Sequence, residues 1–179
     1  MKKSVIKNVL LSVFFAIFML ASLGSLAFST LLPKKTVFAA TEWNESWTFE
    51  MEDGVSLKIG EKNGLRFIVK MDEEAYNYVQ DENVELGFVI APEQLMKQAD
   101  GDYLNMPKKI GGAIDKNKIY ADGGYWYANG CISDMKLQNF KYNFVAVAYV
   151  KEADGDVFYA EYNDQARNNL YDTVNLAAL

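Results

Sequence analysis

Residues 144–150 read FVAVAYV, a run of seven nonpolar side chains. The polar turn EADGD follows at 152–156, and a second largely nonpolar stretch occupies 157–162. Successive side chains of a strand point to opposite sides, so a short run without alternation is typical of a strand that is covered on both faces. The two stretches therefore predict a hairpin whose first arm is a central strand.

Shorter segments with an alternating pattern precede this hairpin. Nonpolar residues occupy every second position in 47–51 and in 55–59, on either side of an Asp-Gly pair at 53–54, and the same alternation runs through 65–71 and 84–90. Asp-Gly fits the positive dihedral angles of a tight turn, so the first two segments predict another hairpin. A strand buried on both faces needs a second layer, which predicts a mainly β fold, an antiparallel two-sheet sandwich.

Three further segments predict short helices. Asp72 and the glutamates after it can cap a helix over 75–80, and a proline opens another over 92–98. The last helix is predicted over 164–178, where nonpolar residues recur at helical spacing near the C-terminus. No repeat or linker divides the chain, so residues 48–179 are predicted to form a single β-sandwich-like domain.

The first forty residues have the composition of an export signal. Lysines at positions 2, 3 and 7 precede a nonpolar stretch over 9–28, and small residues stand at Val37 and Ala39. This order predicts a signal peptide over 1–40 that is cleaved after Ala39 or Ala40. The protein is then secreted and extracellular, with residues 41–47 as a flexible N-terminus.

An uncleaved signal segment is the alternative. At 1.5 Å per residue, a helix over 9–28 would be long enough to cross a hydrocarbon core of roughly 30 Å. The domain would then stay at the cell surface and would contact the membrane only through this segment.

Charge and missing residue types exclude several classes of function. The chain has 18 basic and 24 acidic side chains, no histidine and one cysteine. Five basic residues and no acid lie in 1–40, so residues 41–179 carry 13 basic against 24 acidic side chains, a net charge of −11. Such a surface repels nucleic acid. Without histidine or a second cysteine, histidine-based catalysis, the usual zinc sites and an internal disulfide are excluded, and a protein without catalytic activity is predicted.

Three consecutive aromatic residues, Tyr125, Trp126 and Tyr127, form the most suggestive binding motif. They stand between glycine-containing turns, and three successive side chains of a strand must divide between its two faces. An exposed aromatic surface is suited to carbohydrate, so these residues are the candidate ligand-binding site. The alternative is that Trp126 packs in the core while both tyrosines shield a sheet edge.

Two carboxylates and one arginine are the other candidates. Arg66 lies between Leu65 and Phe67, and a half-buried guanidinium favours a carboxylate partner, so we expect a structural ion pair with Glu85 or Glu161. The same two glutamates are the candidate acid and base of the alternative function, a glycosidase-like hydrolase, which needs two carboxyl groups at a set separation.

Two acidic loops resemble fragments of a calcium-binding site. Residues 100–102 and 152–156 offer carboxylates at alternate positions, as calcium ligands do, but the glycine spacing departs from that of an EF-hand. Asp-Gly turns explain both loops without an ion. No cofactor or metal site is therefore predicted, and calcium is the alternative.

Several motifs together resemble a known but uncharacterised module. They are GLRF at 64–67, ELGFVIAP at 85–92, FVAVAYV at 144–150 and Arg167 before the last helix. The sequence is similar, over about residues 55–179, to a β-rich module that recurs in secreted and cell-surface proteins of Gram-positive bacteria. The resemblance implies an extracellular, mostly non-catalytic domain of unknown ligand, with Arg66 and Arg167 at its recurring arginine positions.

These observations together predict a secreted binding or interaction module without catalytic activity. Its predicted ligand is a carbohydrate or a cell-surface partner protein. The alternatives are the carboxylate-based hydrolase and a structural domain of a surface protein.

Overall fold

A computed structural model describes residues 42–178, which form one compact unit. The predicted signal peptide over 1–40 lies outside the described residues. No helix in the described part is long and nonpolar enough to cross a membrane. Residues 42–178 contain ten strands, three α-helices and three single-turn 3₁₀ helices at Tyr103–Asn105, Lys116–Lys118 and Leu137–Asn139.

The strands are β1 Phe49–Met51, β2 Ser56–Lys58, β3 Gly64–Met71, β4 Glu85–Pro92, β5 Ile110–Ala113, β6 Tyr120–Asp122, β7 Tyr125–Ser133, β8 Phe144–Lys151, β9 Val157–Tyr159 and β10 Arg167–Asn168. The helices are α1 Glu73–Val79, α2 Glu93–Gln98 and α3 Leu170–Ala177. Two five-stranded antiparallel sheets result. The first has the order β1-β3-β7-β6 and the second β10-β8-β4-β5, with β2 added beside β3 and β9 beside β8.

The first sheet corrects the predicted hairpin at Asp53-Gly54. Strands β1 and β2 do not pair with each other, because both lie on the same edge of β3, where Met51 pairs with Val69 and Ser56 with Arg66. The four residues between Met51 and Ser56 thus stand opposite only two residues of β3. The chain passes from β1 to β2 through this bulge without reversing its direction. Gly54, at φ 77°, takes the positive dihedral angle that the bulge requires.

The second sheet confirms the central strand. Strand β8 pairs with β4 along eight residues and is buried on both faces from residue 144 to residue 150. The predicted hairpin at 152–156 is also confirmed, although its second arm, β9, ends at Tyr159.

The sheets pack face to face around one nonpolar core, as predicted for a sandwich. Phe67 and Met71 from the first sheet share this core with Phe88 and Ala146 from the second. Gly130 of β7 lies directly under the Phe88 ring, so a methyl group at this position would collide with the ring. At this contact the two layers therefore depend on a glycine.

A second, smaller core covers the outer face of the second sheet. Val89, Val147 and Tyr149 point away from the first sheet and pack against Met96 of α2 and against Met106. This covering layer explains why the run at 144–150 contains no polar residue: both of its faces are buried, each by a different layer.

The helix predictions differ in accuracy. Helix α1 begins at Glu73, two residues before the expected range of 75–80, directly after the predicted capping residue: the Asp72 carboxylate accepts a hydrogen bond from the Ala75 amide at 2.9 Å. The last helix begins at Leu170 and not at residue 164, because the side chain of Asn169 caps it and β10 first pairs with β8. Strand β10 has only two residues and the cap is a single side chain, so the helical spacing of nonpolar residues predicts neither of them.

The described part of the predicted flexible N-terminus packs against the domain. The Trp43 ring lies edge-on to Trp47, Phe49 and Tyr78 and is stacked on Phe158, with centroid separations of 5.2–5.6 Å. Trp43 stands before the alternating pattern begins, and that pattern does not predict these contacts. These contacts extend the domain boundary at least to residue 43.

Candidate functional site

The three consecutive aromatic residues divide between the two faces of β7. Trp126 points inward, where it packs against the shared core and its ring is stacked on Tyr76 of α1 at 3.5 Å between centroids. Tyr125 and Tyr127 point to the outer face of the first sheet. The structure therefore separates the half-buried Trp126 from the two tyrosines, and of the three residues only the tyrosines lie on the outer face.

A third tyrosine joins them from the neighbouring strand. Tyr120 of β6 pairs with Tyr127, and their rings are stacked at 5.6 Å between centroids, with 24° between their planes. The β6–β7 turn consists of Gly123 and Gly124, both with positive φ, as a two-residue hairpin turn requires. That turn fixes the register in which Tyr120 stands opposite Tyr127. Counting outward from the two glycines in the sequence would have identified Tyr120 as a third residue of this face.

A lysine lies over the outermost tyrosine. The Lys70 ammonium is 4.2 Å from the centroid of the Tyr125 ring, a cation–π geometry, and donates a 2.9 Å hydrogen bond to Glu50. This hydrogen bond raises the pKa of Lys70 above its usual value, so the lysine is charged at neutral pH. We call the surface formed by Tyr120, Tyr125, Tyr127 and Lys70 the tyrosine face.

The tyrosine face is open to solvent. Tyr120 and Tyr125 are 42% and 37% exposed, and Tyr127 is half-buried. Beside Tyr127 on the same face, the buried Oδ1 atom of Asn129 has no hydrogen-bond partner among the described residues. Flat aromatic rings with hydroxyl groups at their edges can contact the C–H face of a sugar and hydrogen-bond to its hydroxyl groups.

The predicted ion pair of Arg66 is wrong. Arg66 lies on the outer face of the first sheet, where its Nε atom donates a 2.9 Å hydrogen bond to the Ser56 hydroxyl, and within 42–178 it forms no ion pair with Glu85 or Glu161. Glu85 begins β4 in the other sheet. Because Leu65 and Phe67 point into the core, the alternation of β3 turns Arg66 away from the second sheet.

The two candidate carboxylates have different surroundings. Glu85 accepts a 2.6 Å hydrogen bond from the Tyr149 hydroxyl, and burial together with this bond raises the pKa of Tyr149. Glu161 lies beside Glu50 and Asp164 in a depression of about 390 Å³ whose lining does not include Glu85. The structure does not bring the two glutamates into this cavity together.

A different ion pair, absent from the sequence-based predictions, joins Arg167 to Glu93. The Glu93 carboxylate accepts hydrogen bonds from Arg167, from Lys97 at 2.6 Å and from the Asn143 amide at 3.4 Å. Mainly through Lys97, these donors lower the pKa of Glu93. The i, i+4 spacing of Glu93 and Lys97 was readable from the sequence, whereas the contact with Arg167 depends on how β10 is placed.

The acidic loop of the β8–β9 hairpin brings three carboxylates together. Oxygens of Glu152, Asp154 and Asp156 lie within 4.8 Å of one another, and Glu152 also accepts a hydrogen bond from the Tyr78 hydroxyl. The loop at 100–102 contributes to no such group in the described part of the chain. An Asp-Gly turn also produces this arrangement without a metal, so calcium binding stays an untested alternative.

Comparison with known proteins adds no assignment. No family model, no curated protein and no solved structure shows significant similarity to this chain.

Proposed function

We propose that the protein is an exported binding module without catalytic activity, and that its tyrosine face holds carbohydrate. One observation carries the proposal: three tyrosines are gathered on a sheet face that no element of residues 42–178 covers, whereas the outer face of the other sheet is buried under a helix. The three partly exposed rings form one aromatic patch, and such a patch on a protein surface is typical of a binding site.

The chemistry of the tyrosine face favours a neutral polyol over a highly charged ligand. Its lysine is already neutralised by Glu50, and the tyrosine rings offer flat nonpolar surface with hydroxyl groups at the rim. A protein partner is the competing ligand, since tyrosine is also enriched in protein interfaces. The predicted signal peptide and the resemblance to modules of Gram-positive surface proteins support a ligand outside the cell, where structural polysaccharides are abundant.

The hydrolase alternative has less support. A glycosidase needs two carboxyl groups that face one substrate across a short distance. Glu85 is engaged by Tyr149, and Glu161 lies in a small depression that Glu85 does not line. We therefore propose binding alone.

Affinity electrophoresis in gels that contain soluble polysaccharides tests the proposal, after a glycan array has selected the polysaccharides. The purified protein is compared with the double variant Tyr125→Ala/Tyr127→Ala and with Tyr171→Ala, whose tyrosine is 53% exposed on α3, outside the tyrosine face. We expect the double variant to bind at least about tenfold more weakly, since each lost aromatic contact is worth roughly 1 kcal/mol. The Tyr171 variant should retain full affinity.

Unchanged binding by the double variant would contradict the tyrosine face as the site. Absence of binding to every glycan by the unmodified protein would favour a protein partner or a purely structural domain. Release of reducing sugar from any polysaccharide would contradict the proposed lack of catalysis.

A further inference from the structure

A cleft at one end of the sandwich is separate from the tyrosine face. It has a volume of about 880 Å³ and lies between the segment that precedes β5, in the second sheet, and the segment that follows β7, in the first. The volume is within the range of sites that take small molecules. Four lysines contribute to its lining, Lys108, Lys109, Lys136 and Lys141; we call it the lysine cleft.

The concentration of positive charge there is unusual for this chain. Residues 41–179 carry only 13 basic side chains against 24 acidic ones, and four of the 13 line this one cleft. All four lysines are exposed, and none forms an ion pair within the described residues. Unpaired like charges around a cavity repel one another and lower the free energy of binding an anion.

The carboxylates of the cleft are already neutralised. Glu93 is bound by Arg167 and Lys97, and Asp134 lies 3.0 Å from the Lys62 ammonium. These three cations come from outside the cleft lining, so they do not use up the positive charge of the four lysines. The cleft is left with a net positive charge in a strongly acidic domain.

Nonpolar side chains also line the lysine cleft, and we call them its floor. Ile110, Ile132 and Met135 line it between the two lysine-bearing segments, together with hydrogen-bonding side chains such as Asn139 and Asn143. Lysine binds phosphate as a point charge, without the planar geometry by which arginine selects carboxylate. A ligand that fits must carry an anionic group for the rim and a nonpolar part for the floor.

We infer that the lysine cleft is a second binding site, independent of the proposed carbohydrate site, for an organic phosphate ester. The phosphate lies among the four lysines, and the ring or chain that bears it lies on the nonpolar floor. The shared chemistry includes a free phosphate monoester and a repeating phosphodiester chain.

Calorimetric titration of the purified protein at an ionic strength of about 0.01 M, where screening is weak, tests the inference. Phenyl phosphate is the main probe, with inorganic phosphate and phenol as its separate halves. We expect phenyl phosphate to bind about tenfold more tightly than inorganic phosphate, because burial of the ring adds roughly 1.5 kcal/mol. Phenol should give no measurable heat of binding.

The charge requirement is tested with Lys136→Gln/Lys141→Gln, which removes two charges and keeps side-chain size. Affinity for phenyl phosphate should fall by about tenfold or more, since two of the four positive charges that attract the phosphate are lost. The matched control is Lys118→Gln/Lys151→Gln, which removes two exposed lysines from outside the cleft lining. The control should bind within twofold of the unmodified protein.

Amide chemical shifts locate the ligand without any variant. Phenyl phosphate should shift the resonances of Ile110, Ile132 and Ser133 and leave those of Tyr125 and Tyr127 in place. If methyl phenyl phosphate binds as tightly as phenyl phosphate, the ligand of the site is a phosphodiester chain. If phenyl phosphate binds more tightly, the ligand is a free or terminal phosphate monoester. Equal losses in the cleft and control variants, or shifts on the tyrosine face only, would overturn the inference.

Discussion

The outer faces of the two sheets differ in what covers them. On the second sheet, Val89, Val147 and Tyr149 are buried beneath α2 and the segment that follows it. On the first sheet, Tyr120 and Tyr125 are partly exposed to solvent, and no helix or strand of the described chain covers this face. Both sheets contribute their inner faces to the same core, so the covering layer is the main difference between them.

The difference suggests that the second sheet mainly stabilises the fold and that the first sheet carries the binding surface. The second sheet is buried on two sides and contributes most to stability, because each buried aliphatic side chain adds roughly 1.5–3 kcal/mol. The first sheet is held by its inner face alone. Its outer face can therefore carry residues chosen for binding without loss of the fold.

The largest effect is expected from a charge placed at the centre of each outer face. Val147→Lys puts an ammonium into the second core without a partner and should destabilise the protein by at least about 3 kcal/mol. Ile68→Lys places the same charge on the half-buried outer face of the first sheet, where its side chain can reach water, and should cost about 1 kcal/mol.

Urea denaturation of both variants measures these costs. If Val147→Lys does not fold, Val147→Ala should still lose about 2 kcal/mol through the cavity that it leaves. Equal losses at positions 147 and 68 would contradict the difference between the two faces.

A smaller loss is expected where the sheets touch. Gly130→Ala introduces a methyl group under the Phe88 ring and should cost about 2 kcal/mol, since the two layers must separate to admit it. Gly60→Ala is the control, because nothing lies within 4 Å of the methyl group it adds. Thermal unfolding compares them, and equal melting temperatures would contradict the close approach of the sheets.

The smallest effect concerns the ion pair that ties the covering helix α2 to β10. Glu93→Gln should destabilise the protein by about 1 kcal/mol at pH 7, because Arg167 loses its partner. The folded protein lowers the pKa of Glu93, so this contribution is present above the ordinary carboxyl pKa of about 4.3 and is lost as pH falls through the lower folded value.

Urea denaturation from pH 7 to pH 3 follows this loss. The difference between the unmodified protein and Glu93→Gln should shrink as the pH falls. Glu82→Gln, an exposed residue with no ion pair in the described chain, should show no such pH dependence. A difference that is constant with pH would rule out the ionised carboxylate as its cause.

Local sequence patterns predicted the architecture well where burial alone decides it. The uninterrupted run at 144–150 identified the central strand because only a strand covered on both faces lacks polar residues. Alternation likewise identified β3 and β4. Asp53-Gly54 was assigned wrongly, because a glycine with positive φ serves a bulge as well as a turn, and the residues that distinguish the two cases lie on β3.

The candidate site was predicted in part. Alternation required the three aromatic residues to divide between two faces, but which face is open depends on what packs against each. Tyr76 of α1 covers the face on which Trp126 lies. No helix of the described chain covers the opposite face, so both tyrosines stay partly exposed. Arg66 was paired wrongly because the sequence does not reveal that Glu85 belongs to the other sheet.

Two adjacent residues on opposite faces of β7 test the central claim most directly. The polysaccharide affinities of Tyr127→Ala and Trp126→Ala are measured at a temperature at which both variants are folded. Tyr127→Ala should bind about fivefold more weakly while its free energy of unfolding changes by less than about 1 kcal/mol. Trp126→Ala should keep its affinity and lose about 3 kcal/mol of stability. Weakened binding in Trp126→Ala together with unchanged binding in Tyr127→Ala would contradict the account.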